Sequence, residues 1–132
     1  GQVADAEALA GTRAQDDPSA AALRAQILAV HGHYRQIEEL LTPIAQANPS
    51  TGAGLELGML LITLGRTAEA LPYLDAVIDM GARSRSALDQ YRGGLAARAL
   101  GGYREANTFL RGAALLSPTD PSIQTTWGEL FL

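Results

Sequence analysis

The sequence has 132 residues, enough for one compact domain or a short repeat array, and its 47% of hydrophobic residues excludes a wholly disordered chain. Aromatic residues make up only 5%, so alanine and leucine must build most of the core, which favours helices packed on helices over a β-sandwich. The net charge of -4 argues against general nucleic-acid binding, and the absence of cysteine excludes disulfides, thiolate metal sites and thiol catalysis.

The chain begins with a segment typical of one amphipathic helix and continues into a helix pair. Residues 3–16 carry apolar residues at helical spacing and are expected to form the second helix of a preceding pair. A helix over 18–31, a turn at Gly32 and a second helix are predicted to follow. One apolar face of this second helix is formed by Ile37, Leu40, Leu41 and Ile44.

Two more pairs of the same kind are predicted next. Their first helices fall over 51–64 and 85–100, and their turns fall at Gly65 and Gly101. The second helices carry the apolar faces Ala70, Leu71, Leu74, Val77 and Ile78, then Ala106, Phe109, Leu110 and Ala113. The connection between these two pairs, over 81–86, is two residues longer than the period predicts.

The last segment, 121–132, is predicted to be one more first helix. Asp120-Pro121 is typical of a helix start, because a short side-chain oxygen accepts hydrogen bonds from unpaired N–H groups and proline is tolerated in the first turn. The first glycines of the turns are 33 and 36 residues apart, so the repeated unit is a helical hairpin with a period near 34. Connections this short allow only antiparallel neighbours.

Each unit carries the same short motif. The second unit has Leu57-Gly58-x2-Leu61 and then Ala70-x3-Leu74. Weaker copies are Ala25-x2-Leu28 with Ile37-x3-Leu41, Gly93-Gly94-x2-Ala97 with Ala106-x3-Leu110, and Trp127-Gly128-x2-Phe131. The motif resembles that of the tetratricopeptide repeat family, which reads W-x2-L-G-x2-Y, then A-x3-F, then P, over 34 residues. The resemblance covers essentially the whole chain, with a departure at Gly93, where the family usually has leucine.

The resemblance implies an all-α fold, in which antiparallel helical hairpins stack into a right-handed superhelix, an α-solenoid. Residues 1–132 would form a single domain. Its expected divisions are 3–16 for the preceding second helix, 17–50, 51–83 and 84–120 for three repeats, and 121–132 for a terminal helix or the start of a fourth repeat.

The resemblance also implies where a ligand binds. In this family the first helices line a concave groove that holds an extended peptide or a partner's helix. The groove positions carried over to this sequence are Gln26, Val30, Leu55, Met59, Ile62, Tyr91, Leu95 and Arg98. We expect an apolar peptide with an acidic end near Arg98, because a guanidinium binds a carboxylate through two parallel hydrogen bonds. The alternative is that Tyr91 and Leu95 are core and Arg98 faces water.

Trp127 and Phe131 form a second candidate interface, on the terminal helix. Trp127 is expected either to pack against the preceding hairpin or to anchor a partner. The apolar end of the sequence leaves two alternatives open. The array continues in a longer protein, or a homodimer covers this end.

No constellation in the sequence predicts catalysis, a cofactor or a metal. His31 and His33 flank a turn, but they have no acidic residue within four positions. Glu38 and Glu39 point about 100° apart on a helix, so they do not share a site. No glycine loop has phosphate-binding spacing, and no nucleophile motif is present. No apolar run approaches the ~18 residues of a membrane span, so membrane insertion is not expected either.

The sequence therefore predicts a protein–protein interaction scaffold, not an enzyme, that binds a protein or peptide partner as one part of a larger protein. The main alternative is a structural or oligomerisation module that self-associates through its apolar C-terminal helix. An RNA binder of the pentatricopeptide type is disfavoured by the acidic net charge, although residues 83–111 carry a local net charge of +4 and keep it open. A catalytic domain elsewhere in a longer polypeptide is also compatible with the sequence.

Overall fold

All the regular secondary structure in the described residues is helical. The computed structural model describes residues 18–30 and 32–130, so the helix expected over 3–16 lies outside the described residues. Seven α-helices lie in this part of the chain: α1 (Pro18–Val30), α2 (Tyr34–Ala47), α3 (Gly52–Thr63), α4 (Thr67–Arg83), α5 (Ala87–Ala99), α6 (Tyr103–Leu116) and α7 (Pro121–Glu129). Their order confirms the predicted all-α fold.

The helices form two layers. Each helix packs against the next along the chain, and α1 also contacts α3, as α3 contacts α5. The first helices of successive hairpins therefore lie side by side, while α2, α4 and α6 form the other layer. We call the surface of α1, α3, α5 and α7 the first-helix face, and that of α2, α4 and α6 the second-helix face.

Leucine and alanine fill the space between the layers, as the composition predicts. Leu41, Leu74 and Leu110 on the second helices have no exposed surface, and neither do Ala70 and Ala106 at the helix crossings. Burial of each leucine side chain contributes about 1.5–3 kcal/mol. The alanines add little volume, and they let the helices of a hairpin lie close together.

A glycine in the left-handed region ends the first helix of each hairpin. These glycines are Gly32, Gly65 and Gly101, with φ of 74°, 79° and 81°. At the second turn, the N–H of Arg66 donates to the carbonyl of Leu61 at 2.8 Å, and that of Gly65 donates to Ile62 at 3.0 Å. These two bonds pair the last free carbonyls of the helix, and the turn at Gly101 repeats them.

The extra residues between the second and third hairpins lengthen a helix instead of a loop. α4 has 17 residues, against 14 in α2 and in α6. The loop over 84–86 is fixed by hydrogen bonds. Ser84 Oγ donates to Asp89 Oδ2 at 2.7 Å, and Ser86 Oγ accepts from the N–H of Asp89 at 3.3 Å. The two extra residues thus shift the start of α5 along the chain, and the hydrogen bonds of Ser84 and Ser86 hold that start in place.

A glycine on the first helix sets the distance between the two helices of a hairpin. A Cβ placed on Gly58 would lie 2.6 Å from Cδ2 of Leu74, and one on Gly94 would lie 2.8 Å from Cγ of Leu110. Both distances are shorter than any ordinary contact, so a larger residue must push a fully buried leucine aside. Gly128 holds the same position in the motif, and a Cβ there would meet no atom within 4 Å in the part of the chain that the structure describes.

Phe109 compensates for the departure from the motif at Gly93. Leu57, which holds the corresponding position in the second hairpin, is 1% exposed. In the third hairpin the ring of Phe109 approaches this position, and a Cβ on Gly93 would lie 3.4 Å from its Cδ1 and Cε1. The ring also lies over Gly81 of α4, whose added Cβ would be 3.2 Å from Cε1. The volume missing on the first helix is therefore supplied by the second.

Candidate functional site

The predicted groove residues of α3 and α5 differ in how much surface they offer. Leu55 is 4% exposed and belongs to the main core. Met59, Ile62 and Leu95 are half-buried and pack against that core. Met59 also lines a cleft of about 240 Å³ with residues of α1 and α2. Leu55 thus leaves almost no surface for a ligand, whereas the other three each present part of a side chain.

Tyr91 lies in a cleft between α5 and α7. Its hydroxyl is 3.2 Å from Thr126 Oγ1, with either oxygen able to donate. The ring packs against a small cluster that contains Ala113 and Ile123. The cleft has a volume of about 380 Å³ and is lined by Tyr91, Pro121, Ser122, Thr125, Thr126 and Glu129. Tyr91 is therefore both a packing residue and part of an open surface.

Arg98 lies two helical turns from Tyr91, about 10 Å along α5 at 1.5 Å per residue. Its side chain is half-buried. In the part of the chain that the structure describes, it forms no ion pair with an acidic residue.

The terminal helix is held to the preceding hairpin through Trp127. The indole Nε1–H donates to Asn107 Oδ1 of α6 at 2.8 Å, and the half-buried ring joins the cluster of Ala113, Ala114 and Ile123. This arrangement favours the packing alternative for Trp127. Three other predicted site side chains lie outside the described residues, namely Gln26, Val30 and Phe131.

A cleft that the sequence did not predict lies on the second-helix face. It has a volume of about 490 Å³, and we call it the α2–α4 cleft. Its lining residues are Glu38, Thr42, Gln46, Pro49, Leu57, Leu61, Arg66, Glu69, Pro72 and Tyr73. Five of these ten residues are leucine, proline or tyrosine, and three others carry charged groups.

Those three charged groups form one hydrogen-bonded cluster. Arg66 donates from Nη1 to Glu38 Oε2 at 2.9 Å and from Nη2 to Glu69 Oε1 at 2.9 Å, and its Nε also donates to Glu69. Two carboxylates share one guanidinium, so the cluster has a formal charge of -1. The hydrogen bonds from Arg66 and its positive charge hold the pKa of Glu69 below its usual value. The same bonds, to Glu69 first and then to Glu38, raise the pKa of Arg66.

Two solved structures are similar to this one. "MamA 41-end from Desulfovibrio magneticus RS-1" aligns with a TM-score of 0.54, and a double mutant of MamA from strain RS-1 aligns with 0.53. Each alignment covers 86% of this chain at 23% sequence identity. The fold is a tetratricopeptide-like helical solenoid. The alignments cover 64% of the MamA chains, so this chain spans less than two thirds of their length.

Comparison of the sequence with protein-family models gives no match, and comparison with curated proteins gives none either. The solenoid fold is therefore supported by the helix packing and by the structural similarity. The fold similarity does not identify binding residues, so only the side chains of this chain indicate where a ligand could bind.

Two adjacent glutamates on α2 take different partners. Glu38 pairs with Arg66, whereas Glu39 pairs with Arg35 one turn away, at 3.4 Å on the outer surface. This is the divergence expected for neighbours on a helix. Among the described residues, no group of three or more His, Cys, Asp and Glu side chains could hold a metal ion. The described helices also include none that is long and apolar enough to span a bilayer.

One part of the α2–α4 cleft had a signal in the sequence. Arg66 and Glu69 are three residues apart at the start of a predicted helix, a spacing that brings side chains together. Glu38 is 28 residues from Arg66, and only the stacking of the two hairpins brings it into the cluster.

Proposed function

We propose that this chain is a protein-interaction module that binds a peptide or a helix of a partner protein on its first-helix face, as one part of a larger protein. The observation that carries the proposal is the Tyr91 cleft, an open site between α5 and α7 in which a hydrogen bond fixes the aromatic ring. A fixed aromatic side chain offers contact area at a small entropic cost. The proposal assigns no reaction to the chain.

The side chains of α5 define the expected ligand. Leu88 is 52% exposed, Tyr91 is half-exposed, and Arg98 supplies a positive charge two turns further on. A segment with apolar side chains for Leu88 and Tyr91 and an acidic residue or carboxyl terminus for Arg98 would match this order. The fold similarity supports a binding role in general, because stacked hairpins expose a long surface built from repeated helices.

The test is selection of peptides from a random display library, with the purified chain as the target. We expect enrichment of apolar sequences that end in an acidic residue. Their affinity should fall by about tenfold or more for Arg98→Glu, which replaces attraction by repulsion. Arg104→Glu is the matched control, because it makes the same charge change on α6 and should leave the affinity unaltered. Leu88→Asp tests the apolar part at an exposed position. Peptides that bind Arg98→Glu and Leu88→Asp as tightly as the original chain would contradict the groove.

The alternative is an oligomerisation module that uses its terminal helix. One observation favours it: Gly128 holds the position that packs against a second helix in two earlier hairpins, yet a Cβ there meets no atom of the described residues within 4 Å. A helix of another molecule would fit this open side of α7. Gly128→Arg blocks it without touching the core, so loss of self-association in this variant would support the alternative.

A further inference from the structure

The charge of this chain is divided between consecutive parts of the solenoid. Residues 34–82 hold six acidic residues against two arginines, a net charge of -4. Residues 83–111 hold six arginines against two acidic residues, a net charge of +4. The α2–α4 cleft lies in the acidic part, and α6 carries two arginines of the basic part, Arg104 and Arg111. Such a molecule attracts a second copy of itself when opposite parts face each other.

The basic part presents an exposed ridge on α6. Arg104, Thr108, Arg111 and Leu115 recur every three or four residues and therefore lie along one side of the helix. All four are exposed, and Leu115 is 75% exposed, a high value for a large apolar side chain. Within the described residues, neither Arg104 nor Arg111 forms an ion pair. We call this surface the α6 ridge.

We propose that the α2–α4 cleft binds the α6 ridge of a second copy of this chain. Arg111 meets the carboxylates of Glu38 and Glu69, and Leu115 enters the apolar part of the cleft, against Pro72 and Tyr73. The contact is separate from the first-helix face, so it leaves the proposed groove free.

The dimensions of the two surfaces agree. The wall of the cleft on α2 runs from Glu38 to Gln46, eight residues or about 12 Å of helix. Arg111 and Leu115 are four residues apart, about 6 Å along α6, so both fit within that length. A volume of about 490 Å³ also lies in the range of sites that accept a few side chains.

The charged end of the cleft has capacity for a further cation. Each carboxylate offers about four acceptor positions, and Arg66 uses only part of those on Glu38 and Glu69. The side chain of Glu69 is 57% exposed, so an arginine from outside reaches it without displacing Arg66. The pairing adds a second guanidinium to a cluster that is negative as a whole.

The contact joins two different surfaces, so each copy keeps one free cleft and one free ridge. Association of this kind continues head to tail unless the rotation closes a ring. A blocked cleft in one copy and a blocked ridge in another would therefore leave one working contact between them. This property separates the proposal from any symmetric dimer, in which one surface meets itself.

The experiment measures mass by analytical ultracentrifugation and light scattering. For the original chain at low ionic strength, the mean mass should rise with concentration. It should return to that of the monomer at about 1 M salt, where the screening length falls to about 3 Å from about 30 Å at 0.01 M. Glu69→Arg blocks the cleft by charge repulsion. Arg111→Ala weakens the ridge without introducing a negative charge that could pair with the altered cleft. Each variant alone should bind itself about tenfold or more weakly. An equal mixture of the two should form a 1:1 dimer that does not grow further.

Two controls separate this contact from other causes. Glu39→Arg makes the same charge change on α2 outside the cleft, and it should associate like the original chain. Helix content by circular dichroism must be equal in all variants, which is expected because Glu69 and Arg111 are exposed.

The proposal is overturned if the original chain stays monomeric at low salt, or if the mixture of the two variants stays monomeric while each is folded. It is also overturned if association persists in both charge variants. Loss of that association in Gly128→Arg would then identify the terminal helix as the interface.

Discussion

The second and third hairpins differ in which helix fills the space between their two helices. In the second, Leu57 of the first helix is fully buried, and the half-buried Tyr73 of the second helix packs against the core and lines the α2–α4 cleft. In the third, Gly93 stands in place of Leu57, and the ring of Phe109, at the position of Tyr73, moves inward onto two glycines. The side chain that fills the space between the helices comes from the first helix in one hairpin, as Leu57, and from the second helix in the other, as Phe109. We call this difference the exchange.

This exchange explains why the motif is degenerate in the sequence. A crossing in a solenoid needs a certain total volume, and either helix can provide it. Motif positions read one at a time therefore understate the similarity of the hairpins.

Replacement of the inward ring should have the largest effect on this comparison. Phe109→Ala removes a side chain that contacts Gly81 and Gly93, and we expect a loss of about 3 kcal/mol in the free energy of unfolding. Tyr73→Ala removes a half-buried side chain that also packs against the core, but Leu57 still fills the space between the helices, so we expect a smaller loss of about 1 kcal/mol. Urea unfolding followed by circular dichroism measures both. Equal losses would mean that the two aromatics pack alike, contrary to the exchange described here.

The glycines next to these positions should respond alike in both hairpins. Gly58→Ala and Gly94→Ala each place a Cβ within 3 Å of a buried leucine, and we expect losses of about 1–3 kcal/mol. An exposed helical glycine normally gains about 0.5–1 kcal/mol on conversion to alanine, so the sign of the change is diagnostic. A gain in stability for either variant would show that the leucine has room to move.

Gly128 holds the same motif position on α7, and its conversion to alanine should change the stability in the opposite direction. Gly128→Ala meets no neighbour within 4 Å among residues 18–30 and 32–130. The helix-forming advantage of alanine should therefore appear, as a gain of about 0.5–1 kcal/mol in the stability of α7. Amide hydrogen exchange in α7 measures this locally. A decrease in protection would indicate that the open side of α7 is occupied in solution.

The smallest effect concerns the charged cluster, in which Arg66 and Glu69 of the second hairpin meet Glu38 of the first. The pKa of Glu69 is lower in the folded chain than its ordinary value of 4.5, so the ionised pair stabilises the fold above that value. This contribution is lost as the pH falls through the folded pKa. Between pH 7 and more acidic conditions, the original chain should thus lose more stability than Glu69→Gln. Solvent exposure of the pair keeps the difference small.

The control for this pH dependence lies in the third hairpin. Glu105 corresponds to Glu69 there, but Gly102 stands where Arg66 would be. Comparison of Glu69→Gln with Glu105→Gln in the same urea series therefore isolates the ion pair. If both variants change the pH profile equally, the cluster makes no specific contribution.

The fold was predictable from the sequence because its signals are local. Turn glycines, apolar residues at helical spacing and the cap at Asp120 each act within a few residues, and all three appear in the structure. The inward turn of Phe109 was less accessible, because it depends on two glycines in two other helices. Leu55 shows the same difficulty: its position in the motif predicted a groove residue, but neighbouring helices cover it almost completely.

The binding surfaces were predictable only in part, for a related reason. A family pattern assigns positions to a face, and the half-buried Tyr91 and Arg98 remain predicted groove residues. It does not indicate that Thr126 fixes the tyrosine or that Asn107 holds Trp127, because these hydrogen bonds join residues 35 and 20 positions apart. The α2–α4 cleft likewise depends on how far two hairpins separate, which no single hairpin encodes.

The bond between Trp127 and Asn107 gives the chain an internal optical reporter. Trp127 is the single tryptophan of the sequence, and its indole lies at the contact between α6 and α7. Its fluorescence therefore reports on the contact between α6 and α7, whereas circular dichroism averages over every helix. Stacked repeats open from their ends more easily than from the middle. On heating, a change in emission before the loss of ellipticity would show α7 separating while the hairpins beneath it are still folded.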